Sequence, residues 1–473
     1  MNMRKSLLIL FAVLLALISP LSAMAESAAY DPTYPFALSA DHLNAQSALV
    51  IDGTGRVLFT KNPDARMSPA STTKIMTLLL ACEYGHLDEI VTVPKEAAEI
   101  AADSSVVPVT PGEQMPFIDL LYGLELHSGN DAANAIAVIV GGSISDFVSM
   151  MNARAREIGM TNTSYSNAHG LTDAKHYTTA TDMAKLAIVA MQNETFRKIV
   201  STSEYEMSAT ELRGPLWLTS TYDLYNPLSD LYYENCIGIK SGFTSHAGQC
   251  FVGAAEQNDL LLISVALNCS SANDAAAKRT KFIDTTRLLD YGFSQYDEYN
   301  FAELFELATA NSLYLNVIDA HQNDPYGGQL TLMPSQLTGT DLSTMVYGEQ
   351  SAIDAAVAAF RQNLVINIEQ NVVAPVINGQ TLGTISYSDK NGNTMSGVLI
   401  ASRGVEAQSF WYKLSINPIF RALVIILAVL AVLIIILRIR VTIRRNRRRK
   451  IAMERRRREL ERYRQEQRSR GKW

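Results

Sequence analysis

The sequence predicts an α+β fold: an antiparallel sheet flanked by helices with an inserted helical region, followed by a small all-β domain and one transmembrane helix. Three observations support this prediction. Helical periodicity dominates from about residue 71 to residue 191, and strand-like apolar runs lie on both sides of it. Short apolar runs separated by turn residues fill 298–410. Near the C-terminus, a long apolar run contains a single charge.

The N-terminus has the layout of a secretory signal peptide over residues 1–25. Two cations, Arg4 and Lys5, precede an apolar stretch from Leu7 to Ile18, and a small-residue triplet ends the segment. We expect the mature chain to begin near Glu26. The alternative is a short buried helix.

Residues 26–297 are predicted to form the larger domain. The stretch "QSALVIDGTGRVLFT" is typical of a β-hairpin. From Ser71 the apolar spacing becomes helical, and three more helical stretches follow. The runs "NCIGIKSG", "GQCFVGAAEQ" and "DLLLISVALN" then have the lengths and turn residues of strands. Hairpin strands at both ends with helices between them indicate an antiparallel sheet covered by helices.

Residues 298–410 are predicted to form a small β-rich domain. Its strand-like segments are "SLYLNVIDA", "QLTLMPS", "NLVINIE", "TLGTISYS" and "GVLIAS". Gly, Asn or Asp residues separate them, which is typical of an all-β domain. Two domains are also expected from length alone, because about 390 residues between the terminal segments exceed a typical single domain.

A transmembrane helix is predicted at 415–437. The run "ALVIILAVLAVLIIIL" is apolar on every face, and helical rise makes the 24 residues between Lys413 and Arg438 about 36 Å long. The hydrocarbon core of a bilayer is only about 30 Å thick. Arg421 lies at the edge of the apolar run, where its guanidinium can reach the interface. A buried core helix is the alternative.

The tail, residues 438–473, carries 17 Lys or Arg against 4 Asp or Glu. The positive-inside rule places such a tail in the cytoplasm and residues 26–417 outside the cell membrane. The chain has a formal net charge of −6, and without the tail and the two N-terminal cations the charge is −21. This acidic exterior argues against nucleic acid as a partner. We expect the tail to lie on anionic lipid, with a nucleic acid as the alternative.

Four cysteines, Cys82, Cys236, Cys250 and Cys269, are too few for a disulfide scaffold in a chain of this length. No metal-ligand spacing occurs, and we expect neither a metal nor an organic cofactor. Cys250 follows the Lys240 motif discussed below and is a candidate for lining a site there. A small buried cysteine is the commoner explanation.

Ser71 and Lys74 stand three residues apart in "SPASTTKIMT", where the helical pattern begins. Either Ser71 caps the helix and Lys74 is a surface lysine, or Ser71 is a nucleophile with Lys74 as its base. Positions three apart share a helix face, so the amine and the hydroxyl can meet. A lysine is a base near neutral pH only if burial or a neighbouring cation lowers its pKa well below about 10.4. Lys240, in "GIKSGFT", is the candidate cation.

Ser128-Gly129-Asn130, in "LHSGNDAAN", lies in a predicted loop before a helix. A serine placed between two lysines can pass a proton to a leaving amine, and an asparagine amide can hold a peptide carbonyl. Two other stretches, Ser271-Ala272-Asn273 and Lys390-Asn391-Gly392, match the same short patterns but lack a suitable context or order.

Together these segments resemble a known family. Ser71-Thr72-Thr73-Lys74, Ser128-Gly129-Asn130 and Lys240-Ser241-Gly242 follow the order of the three motifs of penicillin-binding proteins and serine β-lactamases. With "GMTNTSYSNAHGLTDAKHYTTATDMA" between them, residues from about Ala40 to Phe293 resemble the low-molecular-mass D-alanyl-D-alanine carboxypeptidases of peptidase family S11. The resemblance implies a penicillin-binding/β-lactamase-like fold, a peptidoglycan stem peptide as substrate and β-lactam antibiotics as inhibitors. The segment that follows resembles the C-terminal domain of that family.

The resemblance also implies catalytic roles for single residues. Ser71 is assigned as the acyl-enzyme nucleophile, Lys74 as its general base and Ser128 as the proton relay. Asn130 is assigned to orient the substrate and the lysine.

For the third motif, the resemblance implies substrate binding. Lys240 is expected to bind the terminal carboxylate of the substrate, with Ser241 and Thr244 as hydrogen-bond donors and Gly242 between them. The backbone N–H groups of Phe243 and of the nucleophile are expected to form an oxyanion hole, where each donor is worth roughly 3 to 4 kcal/mol.

Five further side chains are candidates for a role in or near the site. Arg279, placed by approximate alignment, is expected to reach the substrate carboxylate. The family usually has threonine at the Ser241 position, but serine keeps the hydroxyl, so we expect activity to survive. His169 and His176 are interpreted as structural rather than as bases. His127 is interpreted as an incidental polar side chain, with tuning of the pocket as the alternative.

The sequence therefore predicts a serine D-Ala-D-Ala carboxypeptidase, anchored in the membrane, that removes the terminal D-alanine from stem pentapeptides. One rival is a β-lactamase or transpeptidase of the same fold. A second rival is a non-catalytic wall-binding scaffold with an inert pocket.

Overall fold

The computed structural model describes residues 38–310, 313–340 and 342–471. The predicted signal peptide therefore lies outside the described residues. Contacts divide the chain into two compact units. The first unit holds the described residues up to Asn300 together with Ser343–Ala356, and the second unit holds Phe301–Leu342 together with the residues from Val357 onward.

The described residues form strands and α-helices in an order that matches the predicted class. The strands are β1 (Ser47–Asp52), β2 (Val57–Lys61), β3 (Ile90–Thr92), β4 (Gln114–Pro116), β5 (Glu204–Met207), β6 (Leu216–Thr219), β7 (Cys236–Thr244), β8 (Gly248–Gln257), β9 (Leu260–Leu267), β10 (Tyr296–Asn300), β11 (Tyr314–Asn316), β12 (Gln329–Gly339), β13 (Ser343–Tyr347), β14 (Leu364–Ile368), β15 (Thr381–Ser388) and β16 (Thr394–Ala401). The α-helices are α1 (Lys74–Tyr84), α2 (Phe117–Leu126), α3 (Asn130–Gly141), α4 (Ile144–Ile158), α5 (Ala180–Met191), α6 (Glu194–Val200), α7 (Ala275–Phe293), α8 (Phe301–Thr309), α9 (Gln350–Gln362), α10 (Phe410–Ile416) and α11 (Pro418–Arg470).

The first unit is built on a five-stranded antiparallel sheet in the order β2-β1-β9-β8-β7. Side chains of β1 alternate between two hydrophobic clusters. Leu49 and Ile51 belong to the main core with the helical residues, whereas Ala48 and Val50 pack with Leu288 of α7. Both faces of the sheet are therefore covered, which explains why every residue of β1 is buried. The predicted antiparallel sheet flanked by helices is confirmed.

Helix α1 runs through the centre of the helical layer. Every residue from Lys74 to Ala81 is buried, and the helix packs against α2, α3 and α5. A helix that is apolar on all sides is typical of a protein core. Because Lys74 is its first residue, the lysine side chain starts from inside the protein.

The second unit contains the predicted β-rich segment, and its sheet is antiparallel in the order β11-β12-β16-β15-β14. The segment is not all-β, because α8 and the end of α9 pack with this sheet. The ring of Phe360 lies 5.3 Å from that of Phe301 and 4.9 Å from that of Tyr387. The sequence "FAELFELA" has its buried residues at helical spacing, a signal hidden among the strand-like runs around it.

The boundary between the two units also differs from the predicted one. Strand β13 lies in the stretch predicted for the second domain, yet it pairs with β10 and groups with the first unit. The predicted start at residue 298 falls inside β10. A chain that returns to the first unit for one strand cannot be recognised from a change in local pattern.

Helix α11 is one continuous helix of 53 residues and is long and apolar enough to cross a membrane. The side chain of Asn417 caps it by accepting hydrogen bonds from the amides of Ile419 and Phe420. Pro418 suits the first turn, where its missing N–H costs nothing. The helix that carries the predicted span begins at residue 418, three residues after the predicted start of the span. The helix also continues into the basic tail without a break.

Candidate active site

Ser71 lies in a 3-10 helix, Ala70–Thr73, that leads directly into α1. The N-cap residue of α1 is Thr73, and that of the 3-10 helix is Pro69. Ser71 is thus neither cap, so the alternative of a capping serine is excluded. Its hydroxyl instead lies 3.1 Å from the amine of Lys74.

Lys74 is not a surface lysine, because it is only 1 % exposed. Its Nζ lies 3.1 Å from the Ser71 hydroxyl, 2.7 Å from Oδ1 of Asn130 and 2.9 Å from the backbone carbonyl of His169. The last two groups can only accept hydrogen bonds, whereas a hydroxyl can also donate. The amine donates to all three oxygens in the structure. Once Lys74 loses a proton, its two remaining N–H groups can still serve Asn130 and the His169 carbonyl, which leaves the lone pair for the Ser71 hydroxyl.

Lys240, on β7, is also only 1 % exposed. Burial, and then the positive charge of Lys240, lower the pKa of Lys74 well below its usual value. Burial also lowers the pKa of Lys240, and the carboxylate of Glu125 opposes that shift. The structure therefore brings together the two lysines that the sequence proposed as base and cation.

Strand β7 passes close to the backbone of the nucleophile. A Cβ atom on Gly242 would lie 2.7 Å from the amide nitrogen of Ser71 and 3.0 Å from the Cβ of Ala70. Only glycine fits such an approach without displacing the 3-10 helix. The strand edge at Gly242, with Phe243 as the next residue, therefore lies beside the Ser71 N–H.

The second motif occupies the turn between α2 and α3. Ser128 is half-buried and adopts a positive φ of 56°, and Asn130 is the first residue of α3. The carboxylate of Asp131 accepts from the amide of Val107, which holds the segment between β3 and β4 against the start of α3. Asn130 is thereby aimed at the amine of Lys74, and Ser128 precedes it by two residues.

The two histidines of the 160–179 segment have structural contacts, as predicted. The Nδ1 of His176 accepts from the amide of Ser166, so its Nε2 carries the proton and donates to Thr73 Oγ1. Burial lowers the pKa of His176 to about 4. Burial, and then the charge of Lys74, lower the pKa of His169 to about 3. Both rings are neutral at pH 7.

Two hydroxyl residues of β7 flank Gly242. Oγ1 of Thr244 accepts from the amide of Ala247 at 2.9 Å and from the hydroxyl of Thr172 at 3.2 Å, which leaves its own proton to donate. The backbone N–H of Ser241 donates to the hydroxyl of Tyr222 at 3.3 Å. The Ser241 side chain is half-buried.

Arg279 pairs with aspartates, and Cys250 lies in the core. The guanidinium of Arg279 forms salt bridges with Asp223 and Asp230. The thiol of Cys250 is fully buried, and burial raises its pKa to about 11, so it is a core cysteine. All four cysteines are unpaired.

Sequence reasoning missed three buried residues beside Lys240: Glu125, Tyr222 and Lys281. The hydroxyl of Tyr222 lies 3.3 Å from the Lys240 amine and donates to Oε1 of Glu125 at 3.1 Å. Burial, and then the charge of Lys240, lower the pKa of Lys281 to about 8. A charged residue inside the apolar run "LLYGLELH" was the one available signal for Glu125.

The family model for peptidase S11, D-alanyl-D-alanine carboxypeptidase, matches residues 34–271, about half of the chain. The chain belongs to this family. It is 36% identical over 260 residues to D-alanyl-D-alanine carboxypeptidase DacF of Bacillus subtilis, covering 54% of this chain and 64% of that relative, which is less than two thirds of its length. It is 33% identical over 253 residues to the D-alanyl-D-alanine carboxypeptidase of Streptomyces sp. strain K15, covering 51% and 84%.

A solved structure, penicillin binding protein 5 from Haemophilus influenzae, is 25% identical to this S11 chain. That comparison covers 78% of this chain and 99% of the other, with a TM-score of 0.49.

The site predicts unequal effects for two glycines that both have positive φ. A Cβ on Gly170 (φ 96°) would lie 1.8 Å from the Ala70 carbonyl oxygen, whereas one on Gly142 (φ 79°) would meet nothing within 4 Å. We expect Gly142→Ala to lower the free energy of unfolding by about 1 kcal/mol, the backbone cost alone. Gly170→Ala should cost about 3 kcal/mol or more, because the nucleophile segment must also move. Urea unfolding measures both. Equal losses would contradict the close packing of Gly170 on the nucleophile segment.

Proposed function

We propose that this S11 chain is a membrane-anchored serine D-Ala-D-Ala carboxypeptidase acting on peptidoglycan stem pentapeptides. The observation that carries the proposal is the Lys74 amine, buried between the Ser71 hydroxyl and Asn130 and next to Lys240. A primary amine of lowered pKa beside a serine hydroxyl is a base-activated nucleophile. β-Lactam antibiotics would acylate the same serine.

Acylation of Ser71 follows from this geometry. The neutral amine of Lys74 takes the hydroxyl proton while Oγ forms a bond to the carbonyl carbon of the penultimate D-alanine. The peptide C–N bond then breaks, and the leaving D-alanine nitrogen receives a proton. Ser128 is assigned to relay that proton from Lys74. Water then hydrolyses the ester, which restores the Ser71 hydroxyl and releases the shortened stem peptide.

Negative charge develops on the carbonyl oxygen during both steps. We assign the backbone N–H groups of Ser71 and Phe243 as its donors, since strand β7 lies beside the nucleophile at Gly242. Each such donor is worth about 3 to 4 kcal/mol of transition-state stabilisation. Because these donors belong to the main chain, the side chain of Phe243 is free to vary.

The terminal carboxylate of the substrate is assigned to Lys240, with the hydroxyls of Ser241 and Thr244 as further donors. Thr244 has a proton left to donate after accepting from its two neighbours. Arg279 is left out of this assignment, because two aspartates already neutralise its guanidinium. Asn130 is assigned to hold both Lys74 and the substrate amide.

We further propose that α11 spans the cell membrane, with the acidic residues that precede it outside and the basic tail, which begins at residue 438, in the cytoplasm. The cations of the tail begin at Arg438, directly after the apolar run. The positive-inside rule supports this orientation. The first basic turns lie near enough to the headgroups to attract anionic lipid, and an attraction of this kind falls off within a Debye length.

Labelled penicillin tests the nucleophile. We expect mass spectrometry to find one adduct on Ser71, with a lifetime of minutes or longer, and the purified protein to release D-alanine from diacyl-Lys-D-Ala-D-Ala. Ser71→Ala should abolish both, because the bonding oxygen is gone. Ser68→Ala is the matched control, since its buried hydroxyl has no hydrogen-bond partner among the described residues. An adduct on another residue, or D-alanine release by Ser71→Ala, would overturn the proposal. Turnover of the adduct within seconds would favour a β-lactamase.

Trypsin tests the orientation, because the tail is rich in cleavage sites. Trypsin added outside intact spheroplasts should leave residues 438–471 uncut, whereas digestion of the tail would contradict the orientation.

The same protease tests lipid contact. With the full chain in vesicles and the tail facing outward, cleavage within 438–450 should be slower on anionic than on neutral lipid. High salt should remove that difference. Equal rates at low salt would contradict lipid contact.

A further inference from the structure

A buried hydrogen-bonded chain joins helix α2 to the cation of the site. The carboxylate of Glu125 accepts from the hydroxyl of Tyr222 at 3.1 Å, and the same hydroxyl lies 3.3 Å from Nζ of Lys240. Glu125 and Lys240 are fully buried, and Tyr222 is 6 % exposed. The chain therefore lies behind the site, out of contact with bulk water.

The polar atoms of this chain fix the direction of each hydrogen bond. The Tyr222 oxygen faces two groups that donate to it, the ammonium of Lys240 and the backbone N–H of Ser241. A phenol has one proton and two acceptor positions, so its own proton goes to Glu125. An ionised Glu125 carboxylate is the acceptor that completes this set.

The surrounding charges leave Lys240 dependent on Glu125. Among the described residues, the titratable groups near the two site lysines lie on several elements: Lys74 of α1, Glu125 of α2, Asp131 of α3, His169 before α5, Tyr222 and Tyr225 before β7, and Lys281 of α7. The charge of Lys240 lowers the pKa of both Lys74 and Lys281, and the carboxylate of Glu125 favours the charged form of Lys240. Burial raises the pKa of Glu125 to about 7, so its carboxylate is ionised at alkaline pH.

We propose that Glu125 and Tyr222 position the ammonium of Lys240 for the terminal carboxylate of the substrate, with Glu125 as its buried counter-charge. This inference deepens the proposed function and rests on it. Glu125 acts through Tyr222 and Lys240, so it is a positioning residue. Ser241 shares the arrangement, because its backbone N–H donates to the same phenol oxygen.

The consequence of removing Glu125 has a definite sign. Burial lowers the pKa of Lys240, and the Glu125 carboxylate raises it again. Without that carboxylate, Lys240 loses its proton at lower pH. Binding of an anionic substrate then fails at a pH where the wild-type enzyme still binds it. We therefore expect loss of the carboxylate to raise KM and to move the alkaline limb of the pH profile to lower pH.

The test compares Glu125→Gln, Glu125→Asp and Tyr222→Phe with the wild type over pH 6 to 10, using diacyl-Lys-D-Ala-D-Ala. For Glu125→Gln we expect the alkaline limb of kcat/KM to move down by about one to two pH units. KM at pH 9 should rise about tenfold, with kcat changing less than about threefold. Glu125→Asp keeps the negative charge, so its kcat/KM should fall at nearly the same alkaline pH as that of the wild type. Tyr222→Phe should shift the alkaline limb in the same direction as Glu125→Gln.

Asp119→Asn is the matched control. Asp119 lies on the same helix and also accepts from a tyrosine, Tyr205 at 2.6 Å, but it is not among the groups that shift the pKa of Lys240. The pH dependence of kcat/KM for Asp119→Asn should match that of the wild type. A ligand ending in a carboxamide should bind Glu125→Gln and wild type within about twofold of each other.

The inference is overturned if the profiles of Glu125→Gln and wild type superimpose, or if the carboxamide ligand loses as much affinity as the acid. If Glu125→Gln does not fold, Tyr222→Phe decides, and a wild-type profile for that variant overturns the inference. Failure of the proposed function gives a different result, namely a wild-type protein that releases no D-alanine.

Discussion

The site depends on one constraint, the burial of two lysine amines next to each other. Lys74 and Lys240 are each 1 % exposed, and the charge of Lys240 lowers the pKa of Lys74. Burying an unpaired charge is costly. Two adjacent buried lysines are therefore stable only when one of them is neutral and the other keeps its proton. The Lys74 amine contacts the Ser71 hydroxyl and needs a lone pair. Lys240 has a phenol and a carboxylate behind it, so it is the one that keeps the proton.

The fold supplies this asymmetry through separate elements. Helix α1 starts inside the core and carries Lys74, β7 presents Lys240 beside the nucleophile backbone, and the turn between α2 and α3 aims Asn130 at the base. Gly242 and Gly170 let backbones approach the 3-10 helix from two sides. Rigid placement of this kind matters, because a base transfers a proton efficiently only at hydrogen-bond distance.

Much of the site was predictable from the sequence, because Ser71 and Lys74 are neighbours on one helix and the other motifs have recognisable order. Glu125 and Tyr222 were not predictable. They lie on elements far apart in sequence, belong to no motif, and meet only through tertiary packing. The pairing of Arg279 with Asp223 was also not predictable, because the two residues lie far apart in sequence. The strand pattern likewise concealed α8, and nothing local indicated that β13 pairs with β10.

The most direct test of the account is a titration of the Lys74 amine itself, by NMR of protein carrying 15N-labelled lysine, with the signal assigned by its loss in Lys74→Arg. The account predicts that Lys74 loses its proton at a pH well below about 10.4, the usual lysine value. It also predicts that Lys240→Met, which removes the neighbouring charge, moves that transition to higher pH. A Lys74 signal that titrates at the usual lysine value, and that does not respond to Lys240→Met, would contradict it.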